Sequence, residues 1–263
     1  MPFAKLPDSN IHFVRKGSGE ITYVFCHGLG GSGSRFEKED IDWYAEHFDV
    51  ISWDNRGLGR SGASEKYSLP LYAMDLKNLL DYLKIEKAVI FGVSWGGVLA
   101  QRFATMFPET CLALVLDSTS SEVNVKASEN WYARGEIARL GEQTALAGKE
   151  LSEAFSGHKT ASTSTYTEVL TEHIDSYVAQ CRATAGLREH PLTQELESLH
   201  VPTLVVGAGK DTVAGAGGSV ILERTLPKSE LHIFSDAGHG VYRTEREAFR
   251  KLLLDFLRRS KLI

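Results

Sequence analysis

The sequence predicts an α/β fold: a mostly parallel sheet with helices on both faces. Three observations carry this. Short runs of β-branched and apolar residues recur along the chain, each ending in Gly, Asp or Ser. Longer stretches with helical periodicity separate them. Several of the short runs are continuously apolar, as strands covered on both faces should be.

In chain order, residues 11–16 and 21–26 come first, with Gly17-Ser18-Gly19 between them. They read as a hairpin that supplies an antiparallel edge. Further strands are expected at residues 50–53, 88–91, 112–116, 203–206 and 230–234. A helix is expected over 71–83, where Leu76, Leu79, Leu80 and Leu83 share a face. Another spans 95–106 and ends before Phe107-Pro108. The last covers 243–262, with Phe249, Leu252, Leu253 and Phe256 on one stripe.

One region breaks the alternation. Residues 121–191 carry helical pattern but no convincing strand, with Trp131, Tyr132, Phe155, Tyr166 and Tyr177 interspersed. A structureless loop of that length does not suit a compact domain. The region reads as a helical insertion over one edge of the sheet, leaving residues 1–120 and 192–263 as the core domain.

A chain of 263 residues, 43% hydrophobic and 24% charged, suits a soluble protein with a sizeable core. The net charge of −5 leaves no basic footprint for nucleic acid. No Lys- or Arg-rich run suits an anionic membrane surface. The start, Met1-Pro2-Phe3-Ala4-Lys5-Leu6, lacks the apolar core of a secretory signal, and no run is apolar for long enough to span a bilayer. The three cysteines, Cys26, Cys111 and Cys181, are scattered and odd in number. They point to neither a disulfide framework nor a metal site. The expectation is a cytoplasmic protein, monomer or homodimer, with reduced thiols, no metal and no organic cofactor.

Gly92-Val93-Ser94-Trp95-Gly96-Gly97 follows the strand at 88–91 and opens the helix at 95–106. Gly-x-Ser-x-Gly between a strand and a helix marks a sharp turn that lifts the serine hydroxyl above the sheet. Gly92 and Gly96 leave room for neighbouring backbone, and Gly97 permits close helix–strand packing. The N–H of Trp95, at a helix N-terminus, points toward where negative charge develops if Ser94 attacks a carbonyl. Three-glycine turns also serve structural or phosphate-binding roles.

Phe25-Cys26-His27-Gly28-Leu29-Gly30-Gly31 follows the strand at 21–26. A His-Gly loop here supplies a second oxyanion donor, the N–H of Leu29. As a phosphate cradle it lacks the Lys-Ser/Thr ending and the GxGxxG register. His27 reads as an anchor for this loop. Cys26 reads as a small buried hydrophobe on its strand.

Nine histidines compete for the role of base. His239 lies in Asp236-Ala237-Gly238-His239-Gly240, between the last strand and the last helix, at the sheet edge where Ser94 sits. His158, His173 and His190 fall in the insertion, and His12, His47, His200 and His232 have no glycine-rich strand-end setting. For the acid, Asp211 follows the strand at 203–206 in Val206-Gly207-Ala208-Gly209-Lys210-Asp211. Asp117 competes, since it follows the strand at 112–116. Two strand-end carboxylates can both reach such a histidine. The glycine loop favours Asp211, with Asp117 capping a turn or lining the pocket floor. Asp236 reads as a turn residue.

Together these motifs, with Asp54-Asn55-Arg56-Gly57-Leu58-Gly59-Arg60-Ser61, resemble the α/β-hydrolase family over nearly the whole chain. The resemblance implies an eight-stranded sheet with a helical cap, the cap being 121–191. The Asp54 segment looks like the family's supporting loop after the fourth strand. Residues 92–101 look similar to intracellular polyhydroxyalkanoate depolymerases, and the layout resembles enol-lactonases and small carboxylesterases.

The chemistry implied is ester or lactone hydrolysis through an acyl-serine on a small-molecule substrate. Ser94 is the nucleophile, His239 the base and Asp211 its orienting acid. Ser94 argues against the epoxide hydrolases and haloalkane dehalogenases of the fold, which use aspartate at that turn. Carbon–carbon and thioester hydrolysis stay open, as does a ligand receptor with the same residues and little turnover. Trp95 and Trp131 either line a pocket or fill the insertion's own core, and Val213 and Val241, next to the reacting groups, are expected to line the pocket.

Overall fold

The computed structural model describes residues 2–34, 36, 40–143 and 174–263. Phe155, His158, Tyr166 and His173 lie outside the described residues. The elements in chain order are β1 (Phe3–Lys5), β2 (Asn10–Lys16), β3 (Thr22–Cys26), α1 (Ile41–His47), β4 (Asp49–Trp53), α2 (Leu69–Tyr82), β5 (Ala88–Val93), α3 (Trp95–Met106) and β6 (Cys111–Asp117). Then come α4 (Val125–Gln143), α5 (Ile174–Gly186), α6 (Thr193–Leu196), β7 (Thr203–Ala208), α7 (Ala216–Thr225), β8 (Ser229–Phe234), α8 (Val241–Thr244) and α9 (Arg246–Arg259).

The eight strands form one sheet in the order β1-β2-β4-β3-β5-β6-β7-β8. β2 is antiparallel to β1 and β4, and the other pairs are parallel. Parallel neighbours need crossovers: α1 lies between β3 and β4, α3 between β5 and β6 and α7 between β7 and β8, while α2 carries the chain from β4 past β3 to β5. All the parallel strands therefore end at one edge.

The hairpin expected of residues 11–26 does not form. β4 lies between β2 and β3 in the sheet. The glycines that suggested a tight turn instead let the chain pass the end of α1. A Cβ on Gly17 would stand 2.1 Å from the Phe48 carbonyl oxygen, and one on Gly19 2.6 Å from that of His47. The last expected helix is two, α8 and α9, broken at Glu245 (φ −118°, ψ 45°).

Alternation along each strand sends consecutive side chains to opposite faces. Ile90 joins Val24, Ile51 and Leu114 in a core beneath α2 and α3, where Leu76, Leu79, Leu80, Leu99 and Phe103 are buried. Val89 and Phe91 join Tyr23, Phe25, Val115 and Val206 against Phe249, Leu253 and Phe256 of α9. That two-sided burial accounts for the continuously apolar strands. α2 begins where Ser68 accepts from the Leu71 N–H and Pro70 occupies the first turn, where its missing N–H costs nothing.

Between β6 and β7, α4 and α5 pack on each other. Ala138, Ile174, Tyr177, Val178 and Cys181 bury with Leu58 of the loop after β4, flanked by Leu29 and Trp131. Ser176 Oγ donates to the Arg56 carbonyl at 2.8 Å and meets Tyr72 Oη at 2.9 Å, tying α5 to the core. Cys26, Cys111 and Cys181 are buried and free of disulfides. Burial pushes the Cys26 thiol up to about 12, which leaves it an inert packing residue. No described helix is long and apolar enough to cross a membrane.

Candidate active site

The sharp turn between β5 and α3 takes the form its motif requires. Ser94 has φ 56° and ψ −122°, a backbone conformation L-residues seldom adopt. Its N–H donates to the Asp117 carbonyl at 2.9 Å, and its own carbonyl accepts from Gly97 at 2.9 Å. The flanking glycines are steric necessities. A Cβ on Gly92 would lie 2.3 Å from the Gly96 oxygen, one on Gly96 2.0 Å from the Cys26 oxygen, and one on Gly97 2.5 Å from the Thr119 side chain. Trp95 is the first residue of α3, so its N–H has no acceptor within the helix.

The loop after β3 comes up against this turn. A Cβ on Gly28 would stand 3.7 Å from Ser94 Cβ. Gly31 N–H donates to the Gly28 carbonyl at 3.0 Å, closing a tight turn with Leu29 and Gly30 at its centre. Gly30 has φ 61°, which the third position of a type II turn demands. Such a turn leaves the N–H of Leu29, its second residue, outside the turn's own bond. Gly30 N–H is held by Gln180 Oε1 of α5 at 2.8 Å. Sequence reasoning missed Gln180, which carries no local signal. It is an unremarked glutamine on a helix whose meeting with residue 30 is set by packing alone.

The loop after β4 supports both. Asp54, fully buried, accepts from Gly33 N–H at 2.7 Å and Arg60 N–H at 2.9 Å, and pairs with His12 Nδ1 at 3.2 Å. Asn55 N–H points at His27 Nε2 at 3.4 Å, which makes His27 the loop anchor its position suggested. Arg56 and Asp75 form a buried bidentate pair at 2.5 and 2.7 Å.

The acid and base expected from the sequence meet. His239 Nδ1 lies 2.9 Å from Asp211 Oδ2. Asp211 Oδ1 accepts separately from the N–H groups of Val213 at 2.8 Å and Ala214 at 3.0 Å. Burial opposes the Asp211 charge, yet the His239 contact and these N–H groups outweigh it and hold the carboxyl below the usual carboxylate range. The His239 side chain is 25% exposed, against 1% for Asp211, so the imidazole is partly open to solvent while its partner is shielded.

Asp117, the competing acid, has its oxygens occupied elsewhere. They accept from Val241 N–H at 3.2 Å, Tyr242 N–H at 2.9 Å and Ser118 Oγ at 2.8 Å. Burial pushes this carboxyl up to about 6, against the pull of those donors. Asp236 is exposed and pairs with Lys210 at 2.7 Å, as a turn residue can.

The side chains expected near a pocket divide. Trp95 is buried in the core, its ring T-shaped against Tyr72 with centroids 5.2 Å apart. Val241 is fully buried in the core under α9 and is no pocket wall. Val213 is exposed. Trp131 packs on the cluster between α4 and α5, under the Arg134 guanidinium at 5.1 Å. Among the described residues, no group of three or more His, Cys, Asp or Glu side chains is arranged to hold a metal.

Comparison with known proteins agrees with this architecture. 3-Oxoadipate enol-lactonase 2 of Acinetobacter baylyi is 25% identical over 222 residues, covering 82% of this chain and 80% of its own. A putative carbamate hydrolase, RutD, of Agrobacterium fabrum is 26% identical over 245 residues, covering 90% of this chain and 92% of its own. The crystal structure of the enol-lactonase from Burkholderia xenovorans superposes with a TM-score of 0.82 at 23% identity, covering 98% of this chain and 100% of that one. The family model described as the alpha/beta hydrolase fold matches residues 23–245, and with most of the chain inside that match this protein belongs to the α/β-hydrolase fold family.

Proposed function

We propose that this protein is a serine hydrolase that cleaves a carboxylic ester or lactone through an acyl-Ser94 intermediate. The observation that carries the reading is the 2.9 Å contact between His239 Nδ1 and the buried Asp211 carboxylate. It stands at the sheet edge where Ser94 occupies a strained strand-to-helix turn. Asp211 accepts a hydrogen bond from Nδ1–H, which holds the tautomer whose Nε2 is unprotonated and able to take the Ser94 proton as the hydroxyl attacks. The N–H groups of Leu29 and Trp95 receive the oxyanion. His239 then protonates the leaving alcohol and activates the water that releases the acid.

Residues 121–191 act as a cap over the site in this reading. Supporting it, Gln180 of α5 holds the loop that carries Leu29, and Leu29 flanks the cluster between α4 and α5. The small-molecule substrate enters beneath those helices. The enol-lactonase relative makes lactones a natural first panel beside esters.

The test is steady-state hydrolysis of p-nitrophenyl esters and lactones of graded chain length, with carbamates, thioesters and a vinylogous diketone alongside. The expected result is turnover of an ester or lactone by the parent and none by Ser94→Ala, which keeps the parental fold. Full activity in Ser94→Ala sinks the nucleophile assignment. Turnover confined to the carbamate, thioester or diketone keeps the mechanism and moves the substrate class. A single acylation burst without turnover makes the protein a ligand receptor.

A further inference from the structure

We propose that Asp117 and Ser118, at the end of β6, form a staple that sets where His239 stands relative to Ser94. The inference rests on the Ser94–His239–Asp211 reading and names positioning residues for it. Asp117 and Ser118 touch the backbone of all three segments that carry that set. The Asp117 carbonyl accepts the Ser94 N–H at 2.9 Å. Ser118 N–H donates to the Val206 carbonyl at 3.0 Å, on the strand that leads to Asp211. Their side chains take the three consecutive N–H groups that follow His239. Gly240 N–H donates to Ser118 Oγ at 3.0 Å, Val241 to Asp117 Oδ1 at 3.2 Å, and Tyr242 to Asp117 Oδ2 at 2.9 Å. Ser118 Oγ–H donates in turn to Asp117 Oδ1 at 2.8 Å, so the two side chains act as one unit.

Three features mark this as more than ordinary loop packing. Asp117 is fully buried, and a carboxylate is costly to bury where a neutral group would serve. An ionised carboxylate is acceptor-only, so it can serve two N–H groups and a hydroxyl at once. Ser118 sits at φ 52°, and the conformation aims its hydroxyl at Gly240. Gly240 itself, at φ 81°, turns the chain immediately after His239. With residues 240–242 fixed on one side and Asp211 on the other, the imidazole is held from both ends. Neither Asp117 nor Ser118 exchanges a proton with substrate.

The replacement Asp117→Asn keeps the volume and one acceptor oxygen but turns an NH₂ group toward a backbone N–H. Ser118→Ala keeps the carboxylate but removes both the Gly240 acceptor and the hydroxyl that donates to Asp117 Oδ1. Both are assayed on p-nitrophenyl butyrate, alone and combined with His239→Ala, with thermal melts as the fold control. The expected result for Asp117→Asn is a loss of about 10²-fold in kcat with KM within about 3-fold, the scale of a reacting group misplaced by an ångström. Ser118→Ala loses about 10-fold, less than Asp117→Asn, because Val241 and Tyr242 stay bonded to the carboxylate and only the Gly240 end of the staple is freed. In the His239→Ala background neither costs more than about 2-fold, because groups acting through one residue are not additive with its loss.

Parental kcat in both single variants overturns the staple. So does an equal further loss in the His239→Ala background, which means they act on something other than the histidine. If Asp117→Asn fails to fold, Ser118→Ala decides the matter by the same two criteria. Parental activity in His239→Ala alone overturns the triad reading itself and the staple with it, an outcome distinct from the other two.

Discussion

Asp211→Asn offers a sharp test of the proposed chemistry, because the structure separates what the two carboxylate oxygens do. Oδ1 holds the loop, through Val213 N–H at 2.8 Å and Ala214 N–H at 3.0 Å. Oδ2 faces His239 Nδ1 at 2.9 Å. Asparagine keeps the first role with its carbonyl oxygen and reverses the second. Its NH₂ group, placed where Oδ2 was, donates to Nδ1 and stabilises the tautomer protonated on Nε2. That tautomer cannot accept the Ser94 proton.

In the serine-protease triad the same exchange costs about 10⁴ in turnover, and the same loss is expected here. It corresponds to about 5 kcal/mol of transition-state stabilisation. Stability falls far less, by about 1–3 kcal/mol for one charge-assisted hydrogen bond, since both loop bonds survive. Asp211→Ala loses both roles, so it matches the kinetic loss and unfolds more readily than Asp211→Asn. The assay is kcat on p-nitrophenyl butyrate paired with urea unfolding of each variant. A kcat for Asp211→Asn within about tenfold of the parent refutes the tautomer argument, as does a loss that only tracks the unfolded fraction.

Three further outcomes follow from the geometry. Ser94→Ala and Ser94→Gly both lose turnover, but the glycine variant is the more stable by about 1 kcal/mol, because only glycine relaxes the positive-φ turn; equal urea midpoints refute stored strain at that residue. Asp75→Ala strips the partner from buried Arg56 and destabilises by about 3–5 kcal/mol, read by urea unfolding; a change under about 1 kcal/mol shows that the pair does not hold the loop after β4. The third concerns pH. Burial raises the Asp117 carboxyl from its ordinary 3.8 to about 6, so the folded protein binds this proton more tightly than the unfolded chain does. Stability carried by that proton is full below about pH 4 and is lost as pH climbs through about 6, a fall of roughly 3 kcal/mol. The stability of the parent minus that of Asp117→Asn therefore declines between those pH values in urea titrations, and a flat difference refutes the shift. Asp211 has the opposite sign: its folded value lies below the unfolded one, so its contribution is present above about pH 4 and is lost as pH falls through the folded value.

Much of the fold was legible because its signals are local. Continuous apolar runs followed by Gly or Asp mark parallel strands that end at a common edge. Spacing of Leu76, Leu79 and Leu80 marks a helix face, and all three are buried where the pattern puts them. Four elements escaped, among them α6 with only four residues. β1 has three residues and α1 seven, too short for a periodicity to emerge, and α7 begins among glycines that read as loop. The hairpin reading failed for a different reason. Gly17-Ser18-Gly19 has turn composition, but composition does not say which strand lies alongside β2, and β4 took that place.

The site divides along the same line. Ser94, the Gly28–Gly31 turn and the loops of Asp211 and His239 were readable because glycine and strand-end position reflect backbone demands that each segment makes by itself. The sequence alone thus determined which residue types stand at the strand ends and which turns they occupy. It favoured Asp211 over Asp117 as the partner of His239 but placed neither against the imidazole. Only the tertiary structure shows which carboxylate meets that histidine, because a hydrogen bond depends on distance and direction between segments far apart in the chain. Packing brought Asp211 Oδ2 to 2.9 Å from His239 and turned Asp117 onto the backbone of residues 241 and 242. The same packing carried Gln180, 150 residues away in sequence, onto Gly30, a contact that no pattern in either segment encodes.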